Sequence, residues 1–282
     1  MKNLLKSWLY PFLMRKRVAP EVQIGQRALY LSYQEMAQKG QLPRLNETGF
    51  RVFSQFEEDG MLLFIFALMG ISEGTFVDIG SADGIHSNCA NLVLNHGWHG
   101  LYIDGNPQNI KRGRKFYSKF PHPWMYPPKF AQAMVTRENI NQVIEQAGFT
   151  GDIELLSVDI DGNDYWIWDA LEIVQPKVVI IETHVEYGMH DIITPYDPNY
   201  VYPGKHPHYH GASPVAMAKL GKKKGYRLVG ANSLGFNFIF IKEDLIPTEI
   251  PAVSVESVLQ HPSVEESWAE FEPIKDWEYI TE

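Results

Sequence analysis

Four potential ligand residues close two short runs of the sequence. Glu154-Leu-Leu-Ser-Val-Asp-Ile-Asp161 ends with Asp159 and Asp161 two apart, and Lys177-Val-Val-Ile-Ile-Glu-Thr-His184 ends with Glu182 and His184 two apart. Both runs are apolar enough to be buried strands. Residues two apart share a face of a strand, so each pair projects together at the carboxyl end, where open parallel sheets bind ligands. Carboxylates side by side repel, and they need a cation, a proton or hydrogen-bond donors. If the two strands are neighbours, three oxygen ligands and one imidazole converge, a set that suits magnesium or manganese better than zinc. Asp159, Asp161 and Glu182 are therefore the candidate metal ligands. His184, Asp159 and Glu182 are the candidate catalytic groups, with His184 as general base because its ordinary pKa lies near the working pH. The same residues also make good turn chemistry, since Asp161-Gly162-Asn163 is a turn sequence and Asp164 can cap a helix.

A second constellation lies in Thr75-Phe-Val-Asp-Ile-Gly-Ser-Ala-Asp-Gly84. Phe76, Val77 and Ile79 suit a short buried strand, and Gly80 to Gly84 give a turn that can approach a ligand before a helix begins. A dinucleotide site would need Gly-x-Gly-x-x-Gly and bare backbone N–H groups for a pyrophosphate. Here Asp78 and Asp83 flank the glycines, and two carboxylates repel a diphosphate and attract a cation. S-adenosylmethionine, with its sulfonium and ammonium, has that charge. Gly100-Leu-Tyr-Ile-Asp-Gly-Asn-Pro107 then ends in Asp104, one helix and one strand later, where an acid can accept both ribose hydroxyls.

Together these pieces resemble the class I S-adenosylmethionine-dependent methyltransferases, and within them the FkbM-like group. The resemblance runs in order through Ser54-Gln-Phe-Glu-Glu-Asp-Gly60, Val77-Asp-Ile-Gly-Ser-Ala-Asp-Gly84, Tyr102-Ile-Asp-Gly-Asn106, Leu156-Ser-Val-Asp-Ile-Asp-Gly162 and Val178-Val-Ile-Ile-Glu182. It implies a doubly wound α/β fold: a mostly parallel, Rossmann-like, seven-stranded sheet with helices on both faces, closing in an antiparallel hairpin. It also implies a cofactor site drawn from Gln55, Asp59, Asp78, Gly80, Ser81, Asp83, Gly84, Asp104, Asn106, Gln132, Ala133 and Asp159. Gln55, Glu58 and Asp59 fall where the methionine end would lie, and Gln132 and Ala133 where the adenine is read. The Asp-x-Asp pair resembles that of metal-dependent sugar O-methyltransferases, so the expected reaction is O-methylation of a hydroxyl on a sugar or sugar-bearing molecule. Two rivals stand beside it. One is a metal-dependent enzyme, such as a hydrolase, built on Asp159, Asp161, Glu182 and His184; the other is an inactive binding protein of the same fold.

The remaining sequence is read around this domain. Residues 54–242 form the expected methyltransferase domain, after an N-terminal helical extension over 1–53 and before an acidic extension over 243–282. Within the domain, the loop 185–212 is rich in histidine and aromatic residues and reads as a substrate lid, with Tyr187, His206, His208 and His210 as candidate substrate contacts. Ser54, with Glu57 three residues on, predicts a capped helix running to Ile71. A net charge of −9 argues against a nucleic-acid partner, despite the basic run Lys111 to Lys119. Lys2, Lys6, Arg15, Lys16 and Arg17 surround the apolar stretch Trp8 to Met14, which is too short to span a bilayer but could touch an anionic membrane surface. A cytoplasmic protein is expected. Cys89 is the single cysteine and excludes a disulfide framework. The segment from Glu243 carries eleven acids and one lysine, and it either wraps the domain or meets the basic arm of a second copy in a homo-oligomer.

Overall fold

Seven runs rich in β-branched and aromatic residues pair into one sheet in a computed structural model that describes residues 14–120, 126–245 and 249–281. The basic arm's Lys2, Lys6 and Trp8 to Leu13 lie outside the described residues. The strands are β1 Thr75–Ile79, β2 His99–Asp104, β3 Lys129–Gln132, β4 Gly151–Val158, β5 Val174–Glu182, β6 Tyr226–Ala231 and β7 Asn237–Lys242. Their spatial order is β3-β2-β1-β4-β5-β7-β6. Strands β1 to β5 run parallel, and β7 enters antiparallel to both β5 and β6. The β6–β7 hairpin turns at Asn232, whose side-chain oxygen accepts from the backbone N–H groups of Phe236 and Asn237. This is the doubly wound sheet expected from the sequence.

The register sets the site. Ile79 of β1 lies level with Ile103 of β2 and Val158 of β4, so three strand ends finish together. After β1 the chain builds outward through β2 and β3, then returns to add β4 on the other side. Such a reversal leaves a crevice at the carboxyl ends of the two central strands.

Alternation along the strands divides the core in two. Phe76, Tyr102, Leu155, Val178 and Ile239 point to one face, and Val77, Leu101, Leu156, Val179 and Phe238 to the other. The first face is covered by α1 Pro20–Gln38, α2 Glu58–Leu68, α3 Ala90–His96 and α4 Pro107–Tyr117, the second by α5 Ile140–Gln146, α6 Asp164–Ala170 and α7 Pro214–Lys223. Helix α2 is buried over almost its whole length, which its unbroken run Met61 to Ala67 requires. Two short helices, α8 Val255–Val258 and α9 Pro262–Ser267, lead into a C-terminal segment that crosses the 185–212 loop. There Ile193 bridges both Ala212 and Ile280. No helix among the described residues is long and apolar enough to cross a membrane.

Helix α2 begins at Glu58, four residues after the capping position expected at Ser54. The reason is Asp59, whose Oδ2 accepts from the backbone N–H groups of Val52, Phe53 and Ser54 at 2.6 to 2.9 Å. Ser54 Oγ accepts from Asp59 N at 3.2 Å and donates to Phe56 O. The acid inside the helix thus gathers the preceding turn, and that turn cannot continue the helix.

Candidate functional site

A cleft of about 290 Å³ opens at the carboxyl ends of β1, β2 and β4. Its walls include Gly80, Asp104, Asn106, Ala133, Asp159 and Asp161, all singled out in the sequence. Gly80 has φ 84°, and a Cβ there would stand 1.6 Å from the Asp159 carbonyl oxygen. Only glycine lets the end of β1 pass so close to the end of β4. Asp104 is fixed by two hydrogen bonds to Oδ1, from Asn106 N at 2.7 Å and Asn109 Nδ2 at 3.0 Å. Asn106 in turn caps α4 by accepting from Gln108 N. Three carboxylates line this cleft, and among the described residues no lysine, arginine or histidine does.

The lower half of the glycine loop does not reach the cleft. Asp83 pairs with Arg112 of α4 at 3.5 Å and accepts from Ile85 N, so it is engaged by the helix and its own loop. Ser81 is buried and donates to Ile103 O; Gly84 offers its carbonyl to the Tyr117 hydroxyl. Asp78 lies beneath, bonded by the Ser87 hydroxyl, and burial pushes its carboxyl up to about 6. Gln55 is exposed away from the cleft, and Gln132 lines a separate outer cavity beside α4 and α5. Asp59 keeps Oδ1 buried without a partner, and burial raises this acid to about 6 as well. Of the expected cofactor residues, then, five line the cleft and the rest support or stand apart from it.

The acids of β4 and β5 do converge, though not as continued strands. β4 ends at Val158, and Asp161 turns into the left-handed region with φ 54°. Asp164 holds that turn through bonds from Ile160 N at 2.8 Å and Gly162 N at 2.9 Å. One oxygen each of Asp159, Asp161 and Glu182 can be chosen so that all lie within 4.8 Å of one another. Glu182 Oε2 is buried with no hydrogen-bond partner. Burial first, and then the neighbouring acids, push Asp159 and Glu182 upward, the signature of carboxylates that call for a proton or a cation. A hard divalent cation fits this donor set.

His184 stands behind this cluster. Its Nδ1 faces Glu186 Oε1 at 3.3 Å, and its ring meets His210 edge-on at 4.1 Å between centroids. A Cβ on Gly211 would come within 2.1 Å of the ring and 2.3 Å of Nε2. Nε2 is therefore packed against Gly211 and not exposed in the cleft, contrary to the role of general base expected for it. Burial, the largest single influence, would lower this imidazole, but Glu186, together with Asp164 and Asp161, outweighs burial and raises it. Glu186 itself, also facing His208 Nδ1 at 3.2 Å, is held down at about 2.

The 185–212 loop divides in function along its length. Tyr187 is fully buried, and its hydroxyl lies 2.7 Å from His208 O and 2.9 Å from His210 O, while His210 N donates back to it. That makes it a fastening of the loop and corrects its assignment to substrate. His206 packs against Trp277, His208 faces Glu186 and Glu270, and His210 is buried with Nε2 donating to Pro207 O at 2.7 Å. None of these three histidines lines the cleft. Pro198, Tyr200, Val201 and Tyr202 of the same loop do. Tyr200 lies over the β4 turn, so close to Gly162 that a Cβ there would come within 2.3 Å of its ring.

No family model matches the sequence, and the search of curated proteins finds no match. Among solved structures the chain is similar to a SAM-dependent methyltransferase from Methanosarcina mazei, at 10% identity and TM-score 0.40 over 60% of this chain and 91% of that one. It is also similar to the fibrillarin pre-rRNA processing protein of Methanococcus jannaschii, at 10% identity and TM-score 0.41 over 61% and 67% of the two chains. A third is M. capricolum TrmK bound to S-adenosylhomocysteine, at 14% identity and TM-score 0.37 over 71% and 77%. The strand order and register make this a doubly wound sheet.

Sequence reasoning passed over Asn109, Met134, Val135 and Asn163, which also line the cleft. Asn109 had a signal, because it sits one turn into the helix that Asn106 caps. Met134 had none: it follows β3 and is placed beside Gly105 by the pairing of β2 and β3.

Proposed function

We propose that this protein is an S-adenosylmethionine-dependent methyltransferase acting on a hydroxyl of a sugar or sugar-bearing molecule. The observation that carries the cofactor is the cleft at the switch point, lined by Asp104, Asp159 and Asp161 and, among the described residues, by no basic residue. Such walls repel nucleotide phosphates and favour a sulfonium and an ammonium. Asp104, held by Asn106 and Asn109 through one oxygen, leaves the other for the ribose hydroxyls. Gly80, Asn106 and Ala133 complete the nucleoside side.

The bound cofactor supplies an electrophilic methyl group, and the protein's task is alignment and proton removal. In-line transfer needs the acceptor oxygen about 3 Å from that carbon. Tyr200, lying over the β4 turn, offers flat apolar surface for one face of a sugar ring, which supports this acceptor class. Asp159 lines the cleft and His184 does not, so Asp159 is better placed to take the hydroxyl proton. Asp161 and Glu182 complete the set that would hold magnesium or manganese with Asp159, and a cation there would lower the pKa of the acceptor hydroxyl.

The test is calorimetric titration with S-adenosylmethionine, once with chelator and once with magnesium. Micromolar binding, about −8 kcal/mol, that weakens at least tenfold in Asp104→Ala is the expected result. No heat in either condition would sink the methyltransferase reading and leave the acid cluster to the hydrolase alternative.

A further inference from the structure

The cleft has an apolar mouth as well as an acidic interior. Met134 is 62% exposed, Val201 66% and Tyr202 53%, and all three line the same opening, Met134 from the β3 side and the others from the 185–212 loop. Single exposed hydrophobic residues are ordinary on a protein surface, but a cluster rimming a polar cleft marks a binding surface. Inside that rim the Asp104 and Asp161 carboxylates repel anions, and the Tyr200 hydroxyl is buried without a partner near Asp161, Asp164 and Glu182. The interior therefore selects a group that donates hydrogen bonds and carries no negative charge. The rim selects an apolar body attached to it.

We infer that the acceptor is a non-anionic amphipath: a polyhydroxyl head enters between Tyr200 and the β4 acids, and an apolar tail lies across Met134, Val201 and Tyr202. The inference rests on the methyltransferase reading and narrows its substrate. A carboxylate or phosphate ester fails on charge, and a bare sugar leaves the rim in water. The rim residues sit on separate elements, the loop after β3 and the loop after β5, so their meeting at one mouth is a product of the fold.

The full-length protein, saturated with S-adenosylhomocysteine, is titrated below micelle concentration with three probes: octyl β-D-glucopyranoside, methyl β-D-glucopyranoside and octyl β-D-glucuronide. The octyl glucoside should bind at least tenfold more tightly than the methyl glucoside, because buried methylenes add favourable transfer energy, and at least tenfold more tightly than the glucuronide. Val201→Ser with Tyr202→Ser should bring the octyl glucoside down to the methyl level while S-adenosylhomocysteine binding persists. Met134→Ser, on the opposite lip, should give a smaller loss in the same direction and serves if the double variant does not fold. Equal binding of the two glucosides, undiminished binding of the glucuronide, or no binding of either glucoside to the saturated protein would overturn the inference. Failure of S-adenosylhomocysteine itself to bind removes the methyltransferase reading beneath it, so the two failures are distinct.

Discussion

Gly80 and Asp104 show how much one residue decides in this cleft. A methyl group at Gly80 would collide with the Asp159 carbonyl, and the positive φ would be strained for any L side chain. Gly80→Ala should therefore cost about 3 kcal/mol or more of stability, measured by denaturant unfolding, and should part the β1 and β4 ends. A stability within 1 kcal/mol of the parent, to roughly the error of such measurements, would show that the backbone accommodates the change. Asp104→Ala is the contrasting case: a lining acid without a core role, whose loss should weaken the cofactor tenfold or more with little change in unfolding midpoint. Both positions were legible, since each ends an apolar run at a turn. His184 was misread for a related reason: period-two alternation places a side chain on a face only while the strand continues. β5 stops at Glu182, and the packing against Gly211 lies in a distant part of the sequence.

Between elements, the clearest example is the contact of α1 with α3. Gln26 and Asn91 are both buried and exchange amide hydrogen bonds at 3.1 and 2.8 Å, while Asn95 Nδ2 donates to Asn91 Oδ1 and to Arg17 O. His96 completes the group, its Nε2–H donating to Gln26 Oε1 at 2.7 Å. Burial, with help from Arg27, lowers this imidazole from 6.5 to about 4. The unfolded chain takes up the proton first as the pH falls, so the contribution is full above about 6.5 and is lost toward 4. Acidification from pH 7.5 to 5 should thus cost the parent on the order of 2 kcal/mol more than His96→Gln. The difference between the two proteins is the quantity to measure, because Asp59 and Asp78, raised to about 6, act in the opposite sense in both. Equal losses would remove His96 from the acid response. A helix in the 1–53 extension was expected, but its docking was not: Gln26, Asn91 and Asn95 read as surface residues until a partner satisfies them.

At the scale of the whole molecule, the C-terminal segment acts as a strap over the loop that lines the cleft. Its charge drew the sequence reading toward an acidic extension, but its aromatic residues make the attachment. Phe271 and Tyr279 pack edge-on against Tyr187, Trp268 lies against Gly188, and Trp277 meets Tyr209. Ile280 adds the backbone bridge to Ile193, and Tyr209 donates to the Glu278 carbonyl. These contacts hold the buried part of the 185–212 loop, and through it the stretch Pro198 to Tyr202 that closes one side of the cleft. The opposite side, Gly80, Asp104 and Ala133, lies at the ends of β1, β2 and β3 and belongs to the sheet. Deleting residues 268–282 should therefore separate two properties. Protease should cut the truncated chain within 185–212 at least tenfold faster than the parent, while S-adenosylmethionine affinity falls only a few-fold. An unchanged cleavage rate would mean that the loop holds itself, through Tyr187 and the His184–Glu186 pair alone. A loss of cofactor binding as deep as that of Asp104→Ala would mean instead that the strap supports the entire cleft.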